Sequence, residues 1–371
     1  MQNYEHWKNK LASQDLEDFT SNPEAMLWLK IHSITKKDVM DDFVEANKIQ
    51  LLSKKVEDKA VEIYNQIEEK DIQSWNNLLD KYFRDKNAEQ LQALDIEQIK
   101  LDLRRIQHFK WGGDQNNSLD KYFVSHYVKA ISSLDALNAK LGTEALPIVS
   151  NYVIASWYNH WSSIIIEHLF KKHDNVLPTV GQIKSIDFIV KGIPFDLKVT
   201  YLPKWYQPYI PKHLESKGLQ TTELKALKQY AKKADIKYDA KLDENEQHYQ
   251  ILSQLKDAGG HNYDEAIKDL ETIRNETIRY AISHKTELAK LMYENQGAMR
   301  FGSENRLYLV LIDKSDMQNS WEMKRDFDRL DTEITKYLND FKAENLSNME
   351  IDFQYSGKNY KTHADVLFVV K

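Results

Sequence analysis

Two aspartates and a lysine are spaced for metal-assisted chemistry in the stretch Ser185-Ile186-Asp187-Phe188-Ile189-Val190-Lys191-Gly192-Ile193-Pro194-Phe195-Asp196-Leu197-Lys198-Val199-Thr200. Lys191-Gly192 reads as a two-residue hairpin turn, which glycine at the second position favours. Val190 then pairs with Ile193, Ile189 with Pro194, Phe188 with Phe195, and Asp187 with Asp196. Side chains alternate along a strand. One face is therefore Phe188, Val190, Ile193, Phe195, Leu197 and Val199. The other presents Asp187, Asp196, Lys198 and Thr200, with Ile189 and Pro194 near the turn. Directly opposed residues have Cβ atoms about 4.5–5.5 Å apart.

Like charges facing each other across strands are destabilising, and each carboxylate raises the pKa of the other. A divalent cation removes both problems. Mg²⁺ takes one or two protein carboxylates and completes its shell with water and phosphate oxygens. Lys198 shares the face of Asp196, where it can orient a water molecule or neutralise charge developing on phosphorus. The plainer alternative is an exposed hairpin face carrying a cross-strand ion pair.

A third acid precedes the hairpin. Glu167 lies in Trp161-Ser162-Ser163-Ile164-Ile165-Ile166-Glu167-His168-Leu169-Phe170, a helical segment too apolar to be exposed all round. Acids are rare in such surroundings unless paired or ligating. Glu167 is a candidate third carboxylate, or else a residue where the apolar stripe meets solvent.

Downstream, residues 198–233 hold eight lysines against Glu215 and Glu223, in a chain whose net charge is −6. Lys204, Trp205, Lys212, Lys225 and Lys228 are candidate DNA contacts there, with Tyr201, Tyr206, Tyr209 and Tyr230 as stacking partners. A solvated loop and a lysine-rich helix would look the same. Arg300 and Arg306 flank Phe301-Gly302-Ser303-Glu304-Asn305 and are read either as a substrate-side loop or as strand-capping groups. His160, His168 and His173 lack metal-ligand spacing and read as structural, and Gly112-Gly113 lacks the Gly-Lys-Ser/Thr of a phosphate loop.

These residues need elements to position them. Residues 1–142 read as an all-helical domain, suited to recognition, dimerisation or docking to a partner, with apolar residues at 3–4 spacing. Residues 143–371 read as an α/β domain: a helix at about 150–173, strands at 186–190 and 195–200, a helical insertion at about 221–295, a strand at 306–313, a helix at 322–341 and a strand at 366–370. The insertion carries an interrupted heptad-like stripe and is expected to form a helical hairpin or coiled-coil arm. Apolar content of 42% supports a packed core, and the absence of cysteine excludes disulfides, thiolate metal sites and a cysteine nucleophile. No apolar run reaches transmembrane length, so a soluble, cytoplasmic protein without membrane partners is expected.

Glu167, Asp187 and Asp196-Leu197-Lys198, in helix–strand–strand order, resemble the PD-(D/E)XK nuclease superfamily over about residues 150–371. The resemblance implies a restriction-endonuclease-like mixed sheet flanked by helices. It also implies Asp187 and Asp196 as metal ligands, Lys198 as the catalytic lysine and Glu167 as the helix-borne acid. The expected activity is Mg²⁺-dependent hydrolysis of DNA phosphodiester bonds, with Mn²⁺ able to substitute, in restriction or another anti-phage defence role. The expected partners are DNA and either a second copy or a subunit of a defence system. A catalytically silent nucleic-acid-binding or assembly subunit and an RNA or junction nuclease are the alternatives. Replacing a metal ligand is expected to leave stability unharmed.

Overall fold

A computed structural model describes residues 1–13, 18–106, 119–180, 186–203, 206, 211–216, 218–219, 222–295, 304–355 and 357–371. Sixteen α-helices and six strands among them make a mixed α/β protein, as expected. Two compact units divide the chain, Met1–Pro194 and Phe195–Asn295 with Ser303–Lys371. Among the described residues no helix is long and apolar enough to cross a membrane.

In the first unit, helices Tyr4–Ala12, Pro23–Ser33, Val56–Gln66 and Ile72–Gln92 enclose Trp7, Trp28, Phe43, Tyr64 and Phe83. Asn22 starts the second of these helices by accepting from the backbone N–H of Glu24 and Ala25, with Pro23 just inside. Strands β1 (Val176–Pro178) and β2 (Phe188–Val190) pair antiparallel, Val176 opposite Val190. Leu177, Val180, Ile186 and Ile189 belong to the same apolar core as the N-terminal helices. The helix Leu146–Lys171 buries Ala155, Tyr158, Ser162, Ile165, Ile166, Leu169 and Phe170, a stripe of 3 and 4 spacings. Phe170 stacks on Phe188, with centroids 5.0 Å apart. Lys191 and Gly192 have φ of 46° and 89°. Two consecutive positive φ values belong to the type I′ turn whose twist suits a hairpin, so the turn read from Lys191-Gly192 is present.

Strand β3 (Ile193–Tyr201) follows this turn and continues into the second unit. There it pairs parallel with β4 (Arg306–Ile312), and β4 pairs parallel with β6 (Lys358–Val370). β5 (Glu350–Tyr355) pairs antiparallel with β6. Parallel neighbours need long crossovers. Between β3 and β4 these include helices Glu223–Lys233, Glu244–Ala258, His261–Ser283 and Lys285–Glu294, and between β4 and β6 the helix Phe327–Asp340. Every residue of β4 is buried, which accounts for its nearly unbroken apolar run. Tyr308, Val310 and Ile312 form one cluster with Ile278, Ala289, Tyr293, Ile351 and Phe353.

The insertion is helical, but it is not a simple coiled-coil arm. Three of its helices share a core of Leu227, Tyr230, Ala231, Ile251, Leu255, Ala266 and Leu270. Thr277, which interrupts the apolar stripe, is itself buried. Polar residues also lie inside: Glu223 accepts from Arg274 at 2.8 Å and pairs with His248 at 3.1 Å. The short strands β1 and β5 were not foreseen, and a 3₁₀ segment, Met317–Arg325, precedes the helix expected from residue 322.

Candidate active site

Asp196 and Lys198 stand two residues apart in β3 and so point to one face. Lys198 Nζ donates to Asp196 Oδ1 at 2.9 Å. The two differ in exposure: the aspartate side chain is 6% exposed and the lysine side chain 37%. An acid is thus held inside the protein while its partner reaches solvent.

β4 supplies the other half of this cluster. Arg306 is the Cα partner of Asp196, and Tyr308 that of Lys198. Cα partners in a sheet project to the same side, so all four residues share one face. Arg306 Nε lies 3.3 Å from Asp196 Oδ2, and a terminal guanidinium nitrogen lies 3.9 Å from Glu304. The guanidinium carbon sits 4.6 Å from the centroid of the Tyr293 ring, within cation–π range. Burial pushes the Tyr308 hydroxyl up to about 12, with the Arg306 charge opposing the shift. The backbone is pinned as well. The Glu304 carbonyl accepts from Tyr293 at 2.7 Å and Thr362 at 2.8 Å, and the Asn305 carbonyl accepts from the Asp196 N–H at 2.9 Å.

In the first unit, Glu167 is partly buried beside the apolar stripe of its helix and forms an ion pair with Lys171 one turn on. Burial raises its pKa, Lys171 opposes the rise, and the charge of Asp187 adds to it. Asp187 is partly buried at a bend directly ahead of β2, whose ladder begins at Phe188 rather than at Asp187. Thr179 Oγ1 donates to the Asp187 carbonyl at 2.8 Å, which holds this bend to the residues after β1. Among the described residues no three histidine, aspartate or glutamate side chains cluster as a ready-made metal cage.

The candidate DNA contacts fall in different settings. Lys225 is exposed and Lys228 half-buried on the helix Glu223–Lys233. Lys228 Nζ lies 5.7 Å from the centre of the Tyr238 ring, and Lys233 Nζ lies 4.6 Å from that of Tyr230. Lys212 falls within the helix Pro211–Ser216. Lys204, Trp205 and Arg300 lie outside the described residues. Tyr206 is fully buried against Ala281 and Leu288, an internal position. Arg306 is only 3% exposed, and the contacts above are internal ones.

Sequence reasoning missed Tyr293, Glu304 and Tyr308 as neighbours of Arg306. One signal was available: Arg306 and Tyr308 are polar at i and i+2 in a strand that is otherwise apolar. No protein-family model, curated protein or solved structure matches this chain.

Proposed function

We propose that this protein is a metal-dependent nuclease that hydrolyses DNA phosphodiester bonds, with a restriction-endonuclease-like fold and a role in restriction or phage defence. The observation that carries the reading is the contact between Lys198 and Asp196, a buried carboxylate and a solvent-reaching ammonium on one face of one strand. The placement of Glu167 on a helix and of Asp196-Leu197-Lys198 on a strand agrees with it, with Asp187 at the bend ahead of β2.

The donor set fits a hard divalent cation. Glu167, Asp187 and Asp196 offer only carboxylate oxygens, which suit Mg²⁺ or Mn²⁺. The Asp187 charge adds to the raised pKa of Glu167, an effect that a nearby cation would oppose. As the resemblance implies, Asp187 and Asp196 are metal ligands in this reading, with Glu167 as the helix-borne acid. The bound cation would supply Lewis acidity and a more acidic water. Lys198 keeps a positive charge close to the phosphate and orients the attacking water. Lys225 and Lys228, with Lys204 and Lys212, provide phosphate contacts that hold the strand.

A second reading has one observation in its favour. Both Asp196 oxygens face cations, Lys198 and Arg306, as they would in a catalytically silent nucleic-acid-binding subunit. Incubation with plasmid, linear, single-stranded DNA and RNA, with Mg²⁺ and with EDTA, separates the two. Mg²⁺-dependent cleavage of DNA supports the nuclease, cleavage of RNA alone redirects the substrate, and binding without cleavage of any substrate favours the silent subunit.

A further inference from the structure

Arg306 is a charged residue at the start of a strand whose other residues, apart from Tyr308, are Leu307, Leu309, Val310, Leu311 and Ile312. A buried ion pair is commonly no better for stability than apolar residues of the same volume. The sheet alone therefore gives no reason for a guanidinium at this place, and its surroundings suggest one. A guanidinium is a delocalised cation that can pack on an aromatic ring while pairing with an acid, unlike a lysine ammonium on its flexible stem. Arg306 Nε lies 3.3 Å from Asp196 Oδ2, an ion pair without hydrogen-bond alignment, and its guanidinium carbon sits 4.6 Å from the centre of the Tyr293 ring. Tyr293 is fixed by its hydrogen bond to the Glu304 carbonyl, which Thr362 also holds. Asp196 is joined to this segment a second time, through its backbone N–H and the Asn305 carbonyl.

We propose that Arg306 is a positioning residue: it holds Asp196 Oδ2, and so turns Oδ1 towards Lys198 and the cation-binding side of the strand. Its role is thus internal, acting through Asp196 rather than on nucleic acid. The proposal rests on the nuclease reading above. Outer groups that orient a metal ligand are typically worth 10–100-fold in metal affinity or activity.

The test compares wild type with Arg306→Lys and Arg306→Met. Folding is followed by circular dichroism, Mn²⁺ affinity by calorimetry, and DNA cleavage by steady-state kinetics. Arg306→Lys keeps the buried charge and is the variant that keeps the fold. The expected result is Mn²⁺ binding weakened about 10–100-fold and kcat lowered with KM unchanged. Removal of a nearby positive charge acts the other way, because by Coulomb's law alone it tightens cation binding. Mn²⁺ binding by folded Arg306→Lys or Arg306→Met that equals or exceeds wild type overturns the proposal and leaves the nuclease reading standing. A wild type that neither binds Mn²⁺ nor cleaves overturns both. One measurement needs no substitution: Mg²⁺ added to wild type shifts the Arg306 ¹⁵Nε resonance, and a resonance unmoved at saturating Mg²⁺ in an active enzyme overturns the proposal.

Discussion

Arg306 and Asp196 face each other as Cα partners on adjacent parallel strands, with Nε 3.3 Å from Oδ2 and both side chains inside the protein. This changes what loss of Asp196 does to stability. The sequence led us to expect no loss. The structure places a buried cation against that carboxylate. Asp196→Ala leaves Arg306 without its nearest counter-charge, and breaking a buried pair on one side costs about 3–5 kcal/mol. Urea denaturation should show a loss of this order, and less for Asp196→Asn, which keeps an acceptor. An Asp196→Ala midpoint equal to wild type would remove the ion pair from the stability argument.

Lys198 differs because its side chain reaches solvent. Lys198→Ala should change stability by no more than about 1 kcal/mol, as for an exposed pair. In the proposed nuclease, Lys198→Ala should nearly abolish cleavage while Mn²⁺ is still bound, since the ammonium is not a ligand. Parallel calorimetry and cleavage assays check this, and a fully active variant would take the lysine out of the mechanism.

The raised pKa of Glu167 has a component from Asp187. In Asp187→Asn without metal, the Glu167 carboxyl should titrate at a lower pH than in wild type, as read by carboxyl ¹³C resonances. The same variant should bind Mn²⁺ more weakly, and Glu167→Gln should weaken binding less. An unmoved Glu167 titration would show that the two acids do not share a field.

In the proposed nuclease, the basic residues between Lys198 and Lys233 should act by neutralising phosphates. Replacing Lys204, Lys212, Lys225 and Lys228 together with uncharged residues should weaken DNA binding and flatten its salt dependence by up to about 0.9 log units for each phosphate that no longer meets a lysine. Binding titrations at several salt concentrations measure the slope. A slope equal to wild type would place the nucleic acid elsewhere on the protein.

Lys324 supplies a pH dependence. Burial lowers its pKa from 10.5 to about 8, with the ammonium 5.6 Å from the centre of the Tyr201 ring. Between these values the unfolded chain holds a proton that the folded protein has released. Stability therefore rises with pH across this window and is lost as pH falls through about 8. Lys324→Met should flatten that rise and stabilise the protein near neutrality by up to about 3 kcal/mol. Denaturation at pH values on both sides of the window decides it, and equal slopes for the two proteins would contradict the assignment.

The candidate site was legible where its causes are local. Asp196 and Lys198 share a face because a strand alternates with a period of two. Lys191-Gly192 turns the chain because glycine tolerates positive φ. The burial around Glu167 followed from the apolar residues around it in the helix. Elements with weaker signals were harder to read. β1 is three residues ending in proline, and β5 follows a 3₁₀ segment and carries only the alternation of Ile351, Phe353 and Tyr355.

By itself, then, the sequence determined the α/β class, the two-residue turn at Lys191-Gly192 and the pairing of an acid and a lysine on one strand face. Each depends on backbone geometry within a few residues. Only the tertiary structure decided that Arg306 lies inside, beside Asp196 and over Tyr293, rather than on a surface facing DNA. That outcome depends on which strand lies next to β3 and in what register. Parallel pairing joins segments far apart in the chain through a long crossover, so no local pattern around Arg306 encodes its neighbour. For the same reason the buried positive charge, and the stability that Asp196 gives by answering it, become visible only when β3 and β4 are side by side.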